Sequence, residues 1–204
     1  GSEFDEPEAY ANLKRIVWRS AFGTFAFVAL ALTLGSSIRT VDAGHVGLVY
    51  QFGAIVDQRS EGWTFLAPWQ GFKQASIRTQ GIKAATTCLD GTVEHCMETF
   101  SSESQDVFIK ATLNISVDAG AIQELYRTVG AQYVDILVLP RLNQILKDET
   151  VKHVTVDVAK NREQIRNAVR TRLGAELAKR SITVEDLLLD NIDFRPEFKA
   201  AIED

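Results

Sequence analysis

Residue types that bind metals or carry redox chemistry are scarce in this chain, whose 204 residues include two Cys, three His and one Met. A tetrahedral zinc site needs about four nitrogen or sulfur ligands, and the Cys and His residues lack the spacing of such a site. With four Pro and 13 Gly, a collagen-like or Pro-rich chain is also excluded. The composition therefore predicts neither a metal centre nor a cofactor.

Positive charge is also in short supply, since 22 Lys and Arg residues face 27 Asp and Glu residues and the net charge is −5. A nucleic-acid-binding surface usually carries a basic stripe, so nucleic acid is not an expected partner. Hydrophobic residues make up 46% of the chain and charged residues 24%, which is typical of a folded globular protein.

Catalytic motifs are missing as well. The sequence has no G-x-S-x-G elbow, no H-E-x-x-H, no P-loop and no G-x-G-x-x-G. His45, His95 and His153 are scattered, and Ser101–Ser104 is typical of a polar loop, with no general base assigned to it. The sequence predicts no catalytic residues and a protein that is not an enzyme.

One long hydrophobic run stands out near the N-terminus. No charged residue occurs from Ser20 to Ile38, a stretch of 19 residues that would span about 28 Å as a helix, close to the roughly 30 Å of a bilayer core. Its centre, Phe25–Leu34, is apolar on every face. This pattern predicts a transmembrane helix over residues 16–39. A cleaved signal peptide and a buried helix of a soluble protein are the alternatives.

Basic residues are unevenly distributed around this run. Lys14, Arg15 and Arg19 precede it, whereas only Arg39 follows closely. The positive-inside rule then places residues 1–15 in the cytoplasm and everything after residue 40 on the other side of the membrane. Gly1–Phe4 lacks an initiating Met and is typical of a cloning scar, so it is left out of the fold.

The remainder of the chain predicts an α+β fold with an antiparallel-rich sheet. From Val107 to Val117 six apolar residues alternate with polar ones, which is typical of a half-buried strand. Weaker strand patterns cover Val46–Phe52, where Phe52 belongs to the alternating apolar set, and Phe72–Ile82. Asp90-Gly91 predicts a turn.

Helical spacing follows the strands. Helices are expected over residues 119–128, over residues 132–147 with a restart at Pro140, and over residues 157–180 with Asp157 as N-cap. An apolar seam runs along the last of these: Val158, Ile165, Val169, Leu173 and Leu177. Residues 181–194 return to a strand with an irregularity near Leu187–Leu188, and a helix begins after Pro196.

Five segments, in order along the chain, share one resemblance: Val41–Gly53 after the membrane span, Glu61–Pro68, Asp106–Asp118, Ile182–Pro196 and Glu197–Glu203. Together they resemble the SPFH family (stomatin, prohibitin, flotillin; band 7). The resemblance is greatest to bacterial prohibitin-like members and regulators of the AAA membrane protease. It implies an SPFH domain over residues 41–196, followed at 197–204 by the start of a truncated C-terminal helix.

The resemblance implies a function without catalysis. SPFH proteins are membrane-anchored scaffolds, so we expect self-association into a large homo- or hetero-oligomer, a ring or cage that organises a membrane microdomain. The alternatives are a regulatory cage subunit for a membrane AAA protease and a single-anchor domain that binds a lipid or small molecule. The expected location is the bacterial inner membrane, with the SPFH domain in the periplasm.

Candidate site residues fall into three groups. Trp63, Phe65, Pro68 and Trp69 either belong to the core or touch the bilayer, because Trp favours the membrane interface. Cys88 and Cys96 form a disulfide or remain free thiols, since an extracytoplasmic domain permits oxidation. For subunit contacts, a basic set on a helix is expected to meet an acidic set of a neighbour: Arg162, Arg166 and Arg170 with Asp186, Asp190 and Asp193. A merely solvated helix face is the alternative for the arginines.

Overall fold

A computed structural model of the chain describes residues 14–15, 17–28, 35, 37–84 and 96–194. Residues 17–28 are helical and exposed. The transmembrane helix predicted over residues 16–39 extends too far at its C-terminal end, because Ile38 and Arg39 already belong to a strand. Among the residues described, no helix is both long and apolar enough to cross a bilayer. The helix predicted after Pro196 and the turn at Asp90-Gly91 lie outside the described residues.

The domain after residue 37 is an α+β fold with antiparallel sheets, as predicted. Its strands are β1 (Ile38–Val41), β2 (His45–Gln51), β3 (Ala54–Arg59), β4 (Gly62–Phe65), β5 (Gly71–Ser76), β6 (Gln80–Lys83), β7 (Cys96–Phe100), β8 (Asp106–Val117) and β9 (Ile182–Phe194). Its helices are α1 (Ile122–Thr128), a π-helical segment (Val134–Val138), α2 (Leu139–Thr150), α3 (Thr155–Lys160) and α4 (Arg162–Ala178).

Strands β1–β5 form two small antiparallel units, which we call the N-terminal sheets. One is the pair β1–β4, and the other has the order β3-β2-β5. The predicted strand over Phe72–Ile82 is two strands, because the chain leaves β5 after Ser76 and pairs with a different partner from Gln80.

The remaining elements form the C-terminal body, a sheet covered on one face by helices. β8 is its central strand and pairs with β6, β7 and β9, all antiparallel. The predicted alternation in β8 is confirmed, since the side chains of one face are all buried: Val107, Ile109, Ala111, Leu113, Ile115 and Val117. These side chains form one core with the helices.

The helices follow the predicted periods with one correction. The seam of Val158, Ile165, Val169, Leu173 and Leu177 is fully buried, as predicted. The helix expected over residues 157–180 is, however, divided into α3 and α4 at Asn161, whose φ of −90° and ψ of 15° leave the helical region. Asp157 is therefore not an N-cap but a first-turn residue of α3.

Strand β9 is irregular at two places that differ from the expected one. Its register with β8 shifts between Lys110 and Ala111 and again between Asn114 and Ile115. The two extra residues are Asp190 and Glu185, so the irregularity is not at Leu187–Leu188. Bulges of this kind bend and twist a strand locally.

Candidate functional site

The first part of the candidate site lies where the chain enters the N-terminal sheets. In the β1–β4 pair, Ile38 is opposite Phe65, so the end of β4 lies beside the start of β1. The amide of Leu66 donates a hydrogen bond to the carbonyl of Ser37 at 2.8 Å. Phe65 is therefore held next to the end of the apolar N-terminal stretch.

Two turns come to the same end. The β4–β5 connection contains Pro68 and Trp69, and β5 then starts at Gly71, opposite Tyr50 near the end of β2. The side chain of Gln70 donates to that of Gln51 at 3.4 Å, which places this connection beside the β2–β3 turn. We call the residues gathered here the aromatic end: Ile38, Phe52, Phe65, Pro68 and Trp69.

The aromatic side chains at this end face solvent. The exposed fractions are 89% for Phe52, 75% for Phe65 and 64% for Trp69, and Trp63, on the same face of β4 as Phe65, is 79% exposed. Leu66, which lies between Phe65 and Trp69 in the chain, is buried. The alternative that places Trp63, Phe65 and Trp69 in the core is therefore wrong.

Charge is missing from the two turns of the aromatic end. Residues 46–56 and 62–72, which contain both turns, include no Asp, Glu, Lys or Arg. Exposed apolar groups on most soluble surfaces are scattered singly among charges, and a contiguous group of large ones usually marks an interaction site. The arrangement suits an apolar or interfacial environment better than bulk water.

Phe52 was missed as a site residue because the alternation of β2 assigns it to the strand. It lies instead in the β2–β3 turn with a φ of 50°, and Gly53 follows with a φ of 88°. Positive φ at both central residues is typical of a tight hairpin turn, where Asn-Gly is the common pair. The Phe-Gly dipeptide followed by more apolar residues is the feature that points to this turn.

The second part of the candidate site is a charged strip along α4 and β9. Arg162 donates to the carbonyl of Leu189, and Arg170 donates to the carbonyl of Glu185 at 2.6 Å. Arg166 instead pairs with Glu163 on its own helix at 2.7 Å.

The acidic residues of β9 also have local partners. The carboxylate of Asp190 accepts a hydrogen bond from the Thr112 hydroxyl at 2.9 Å, and the carboxylate of Asp186 accepts one from the amide of Leu187 at 2.8 Å. Asp193 accepts from the amide of Phe194 at 3.0 Å. The fold thus places Arg162 and Arg170 against β9, the strand that carries the acidic set, but through backbone carbonyls of that strand. The contact of the basic and acidic sets with a second copy stays a prediction.

The third candidate pair lies partly outside the described residues. Cys96 opens β7, whereas Cys88 belongs to the range 85–95 that the structure does not describe. The disulfide stays a prediction. Within the described ranges, no three His, Cys, Asp or Glu side chains come together to hold a metal ion.

A buried carboxylate joins α2 to α4. The side chain of Glu149 is 7% exposed, and its oxygens lie 2.6 Å from Arg172 Nη1 and 2.8 Å from Lys152 Nζ. Burial alone would raise the pKa of Glu149, but hydrogen bonds from Lys152 and Arg172, with their charges, hold that pKa below its ordinary value. Sequence spacing does not reveal this group because Glu149 and Arg172 are 23 residues apart.

The loop before β8 is fixed by a buried hydroxyl cluster. The Thr155 hydroxyl lies 2.9 Å from both Ser101 Oγ and Glu103 Oε2, and the amide of Thr155 donates to Glu103. Ser101 is buried and accepts from the amides of Glu103 and Gln105. These contacts give Ser101 a structural role in the loop.

Comparison with known proteins adds independent information. Residues 39–204 match the family described as SPFH domain / Band 7 family. The chain is 30% identical over 192 residues to prohibitin-2 of Schizosaccharomyces pombe, covering 89% of the chain and 61% of that protein.

Other relatives are also prohibitins. Prohibitin-2 of Saccharomyces cerevisiae is 28% identical over 177 residues, covering 85% of the chain and 53% of that protein. Prohibitin-7, mitochondrial, of Arabidopsis thaliana is 28% identical over 172 residues, covering 83% of the chain and 58% of that protein. The chain thus spans little more than half the length of these curated relatives.

Proposed function

The chain belongs to the SPFH (Band 7) family, and on this premise we propose that it is a membrane-anchored, non-enzymatic scaffold whose copies assemble side by side into a ring or cage that organises a patch of membrane. The observation that carries this proposal is the aromatic end beside the apolar N-terminal stretch. Large apolar side chains held in water cost free energy that a membrane interface removes, and Trp and Phe are suited to that interface.

The anchor in this proposal is the uncharged run from Ser20 to Ile38. Trp18, Phe22 and Phe25 on the helix over residues 17–28 are largely exposed, which fits side chains that face lipid rather than a protein core. By the positive-inside rule, the basic residues before the run favour an N-terminus in the cytoplasm, so we propose that the SPFH domain lies outside it, in a bacterial periplasm.

Orientation can be tested at Cys88. After reduction in intact spheroplasts, a membrane-impermeant thiol reagent is expected to label this residue if the domain lies outside the cytoplasm. Labelling that requires permeabilised membranes would overturn the proposed orientation. A variant with Cys96→Ser leaves Cys88 as the single thiol, so the signal has one source.

The aromatic end then lies against the bilayer because it is adjacent to the anchor. Ile38 and Phe65 are opposite each other at the first residue of β1, and the two turns lie at the same end. Trp63 comes two residues before Phe65 in β4, opposite Thr40, and is therefore farther from the anchor. We therefore propose Phe52, Phe65, Pro68 and Trp69 as the deepest residues of the domain, with Trp63 at the rim.

Fluorescence quenching tests this placement directly. The chain is placed in nanodiscs with Trp18→Phe and Trp63→Phe, so that Trp69 is the single Trp. Phospholipids brominated on their acyl chains are expected to quench Trp69, and aqueous iodide is expected to quench it poorly. The control removes all three Trp residues and adds Val156→Trp in α3, at an exposed position of the C-terminal body. Equal iodide quenching of both variants would overturn the membrane contact.

Contact between copies is proposed to use the charged strip. Exposed ion pairs contribute only about 0–1 kcal/mol each, but a ring repeats the contact at every subunit, and confinement in the membrane raises the local concentration. Arg166 is the best probe because its one described salt bridge is with Glu163 of its own helix. Arg166→Glu is expected to reduce the size of the detergent-extracted particle without changing the fold. An undiminished particle would place the contact elsewhere.

The partner of such an assembly is open to direct test. The relatives include proteins named prohibitin-1 and prohibitin-2, which fits an assembly of one or two related subunits. Co-purification of a membrane AAA protease with the extracted particle would support the more specific function of a regulatory cage subunit for that protease. A particle of this chain alone would favour the general scaffold.

A further inference from the structure

Strand β9 forms one edge of the sheet in the C-terminal body. It has 13 residues and pairs with β8, while no other strand in the described part of the chain pairs with it. Alternate residues along it are exposed, including Thr183, Leu188 and Asp190. A long edge strand presents backbone N–H and C=O groups on which a strand of another chain can pair.

Two arginines of α4 occupy this edge. Arg162 donates to the carbonyl of Leu189, and Arg170 donates to that of Glu185. Eight residues of helix rise about 12 Å, and four residues of strand rise about 13 Å. The two arginines thus match the two carbonyls in spacing, with α4 and β9 running in opposite directions.

The same positions carry further features that discourage pairing. The bulged residues of β9 are Glu185 and Asp190, so each bulge lies at or beside a carbonyl that receives an arginine. Bulges twist an edge out of a flat template, and charges on an edge repel an incoming strand. At the edge strand β3, the carbonyl of Ile55 likewise accepts from Arg127 of α1 at 3.0 Å.

We infer that Arg162 and Arg170 form an edge clamp that closes β9 against strand addition by a second copy of this chain. A second copy is the relevant partner because it carries the same edge and is the chain held nearest in any self-association. With the clamp in place, copies meet through side chains and do not merge their sheets. The clamp goes beyond the proposed scaffold function and does not depend on the membrane contact.

The test removes the guanidinium donors. The full chain in detergent micelles is compared as wild type, as the double variant Arg162→Gln with Arg170→Gln, and as the matched control Arg141→Gln. Arg141 lies on α2 and pairs with Glu176 at 3.6 Å, not with β9. The measurement is amide hydrogen exchange along β9 at increasing protein concentration, with sedimentation equilibrium in parallel.

In the double variant, we expect amide exchange in β9 to slow by about tenfold or more as concentration rises, because strand pairing protects those amides. Salt is expected to strengthen this pairing, since it screens the acidic side chains of the two edges. Wild type and Arg141→Gln are expected to show no dependence of amide exchange in β9 on concentration. Exchange in the double variant that is equally independent of concentration would overturn the clamp.

A measurement on the wild type covers the case in which the double variant does not fold. Guanidinium protons held by a backbone carbonyl exchange slowly with water, so the side-chain signals of Arg162 and Arg170 are expected to outlast those of the exposed Arg141. Equal exchange at all three arginines would overturn the clamp. The nanodisc quenching of Trp69 is unaffected by either result, so the clamp and the membrane contact can fail separately.

Discussion

The interior of the C-terminal body and the aromatic end of the N-terminal sheets differ in where their large apolar side chains lie. In the C-terminal body, Leu113, Ile115 and Leu173 are fully buried, whereas Phe52 and Phe65 of the N-terminal sheets are mostly exposed. Both regions contain strands with alternating patterns, so hydrophobicity alone does not tell which side chains build the core. The difference lies in position: β8 is the central strand of a sheet covered by helices, whereas Phe52 lies in a turn and Phe65 at the end of a two-stranded pair.

The largest expected effect contrasts a buried and an exposed position. Leu113→Ala should lower the free energy of unfolding by about 2–4 kcal/mol, because it leaves a cavity in the core of the body. Thr112→Ala, on the other face of β8, should cost under about 1 kcal/mol, although it removes the hydrogen bond to Asp190. Denaturant unfolding in detergent micelles, followed by circular dichroism, measures both. Equal costs would contradict the one-sided burial of β8.

The same comparison extends to the aromatic end. Phe65→Ala removes a larger side chain than Leu113→Ala does, yet Phe65 packs little against the domain. We expect a cost below about 1 kcal/mol in micelles, as for an exposed substitution. A loss as large as that at Leu113 would mean that Phe65 supports the fold rather than an interface.

The next effect concerns the buried carboxylate of the body. Glu149→Gln should cost about 1–3 kcal/mol, since it removes charge-assisted hydrogen bonds while Lys152 and Arg172 keep access to water. Glu163→Gln is the control, because this exposed residue pairs only with Arg166 among the contacts described. The control should cost under about 0.5 kcal/mol.

Lowering the pH should destabilise the protein through the carboxylate of Glu149. The folded-state pKa of Glu149 lies below its ordinary value of 4.5, so its contribution to stability is fully present above that value. The contribution is lost as the pH falls through the folded-state pKa. The thermal unfolding temperature should therefore depend more steeply on pH across this acidic range for wild type than for Glu149→Gln. Identical pH profiles would show that the carboxylate does not stabilise the fold through its charge.

A smaller effect is expected at the loop before β8. Thr155→Val keeps the shape of a fully buried side chain but removes the hydroxyl that contacts Ser101 and Glu103. We expect a cost of about 1–2 kcal/mol, because Ser101 loses a buried partner. Thr171→Val in α4 is the exposed control, because the Thr171 hydroxyl donates to the carbonyl of Asn167 within its own helix. If both variants are equally stable, the cluster does not fix the loop.

Prediction from the sequence succeeded where a pattern continues over many residues. The alternation in β8 and the apolar seam along α3 and α4 persist long enough to exclude other periods, and both are confirmed. The break at Asn161 was not predicted because the apolar period continues across it. Phe52 was misplaced because a strand end and a hairpin turn share the same apolar residue types.

Contacts between residues far apart in the chain could not be predicted from sequence patterns. The helical period puts Arg162 on a basic helix face, but its partner, the carbonyl of Leu189, is 27 residues away and belongs to the backbone. Nothing in the order of side chains marks a carbonyl as an acceptor. The exposure of the aromatic end likewise depends on which turns meet, which follows from strand pairing in three dimensions.

The smallest expected effect is a gain in stability, whereas the other substitutions lower it. It tests whether the ring of Phe52 packs against the domain or contacts the membrane. Phe52 has a φ of 50°, which costs a bulky residue free energy that Asn tolerates better, and its exposed ring gains little from packing. Phe52→Asn should therefore stabilise the domain by about 0.5–1 kcal/mol in micelles. Phe65→Asn, at a similarly exposed position but in a regular strand, should bring no such gain. In nanodiscs, the same Phe52→Asn change should increase iodide quenching of Trp69 in the single-Trp chain, because one of the apolar groups holding this end in the interface is gone. Lower stability in micelles would mean that the ring of Phe52 packs against the domain, and unchanged quenching would remove this turn from the membrane contact.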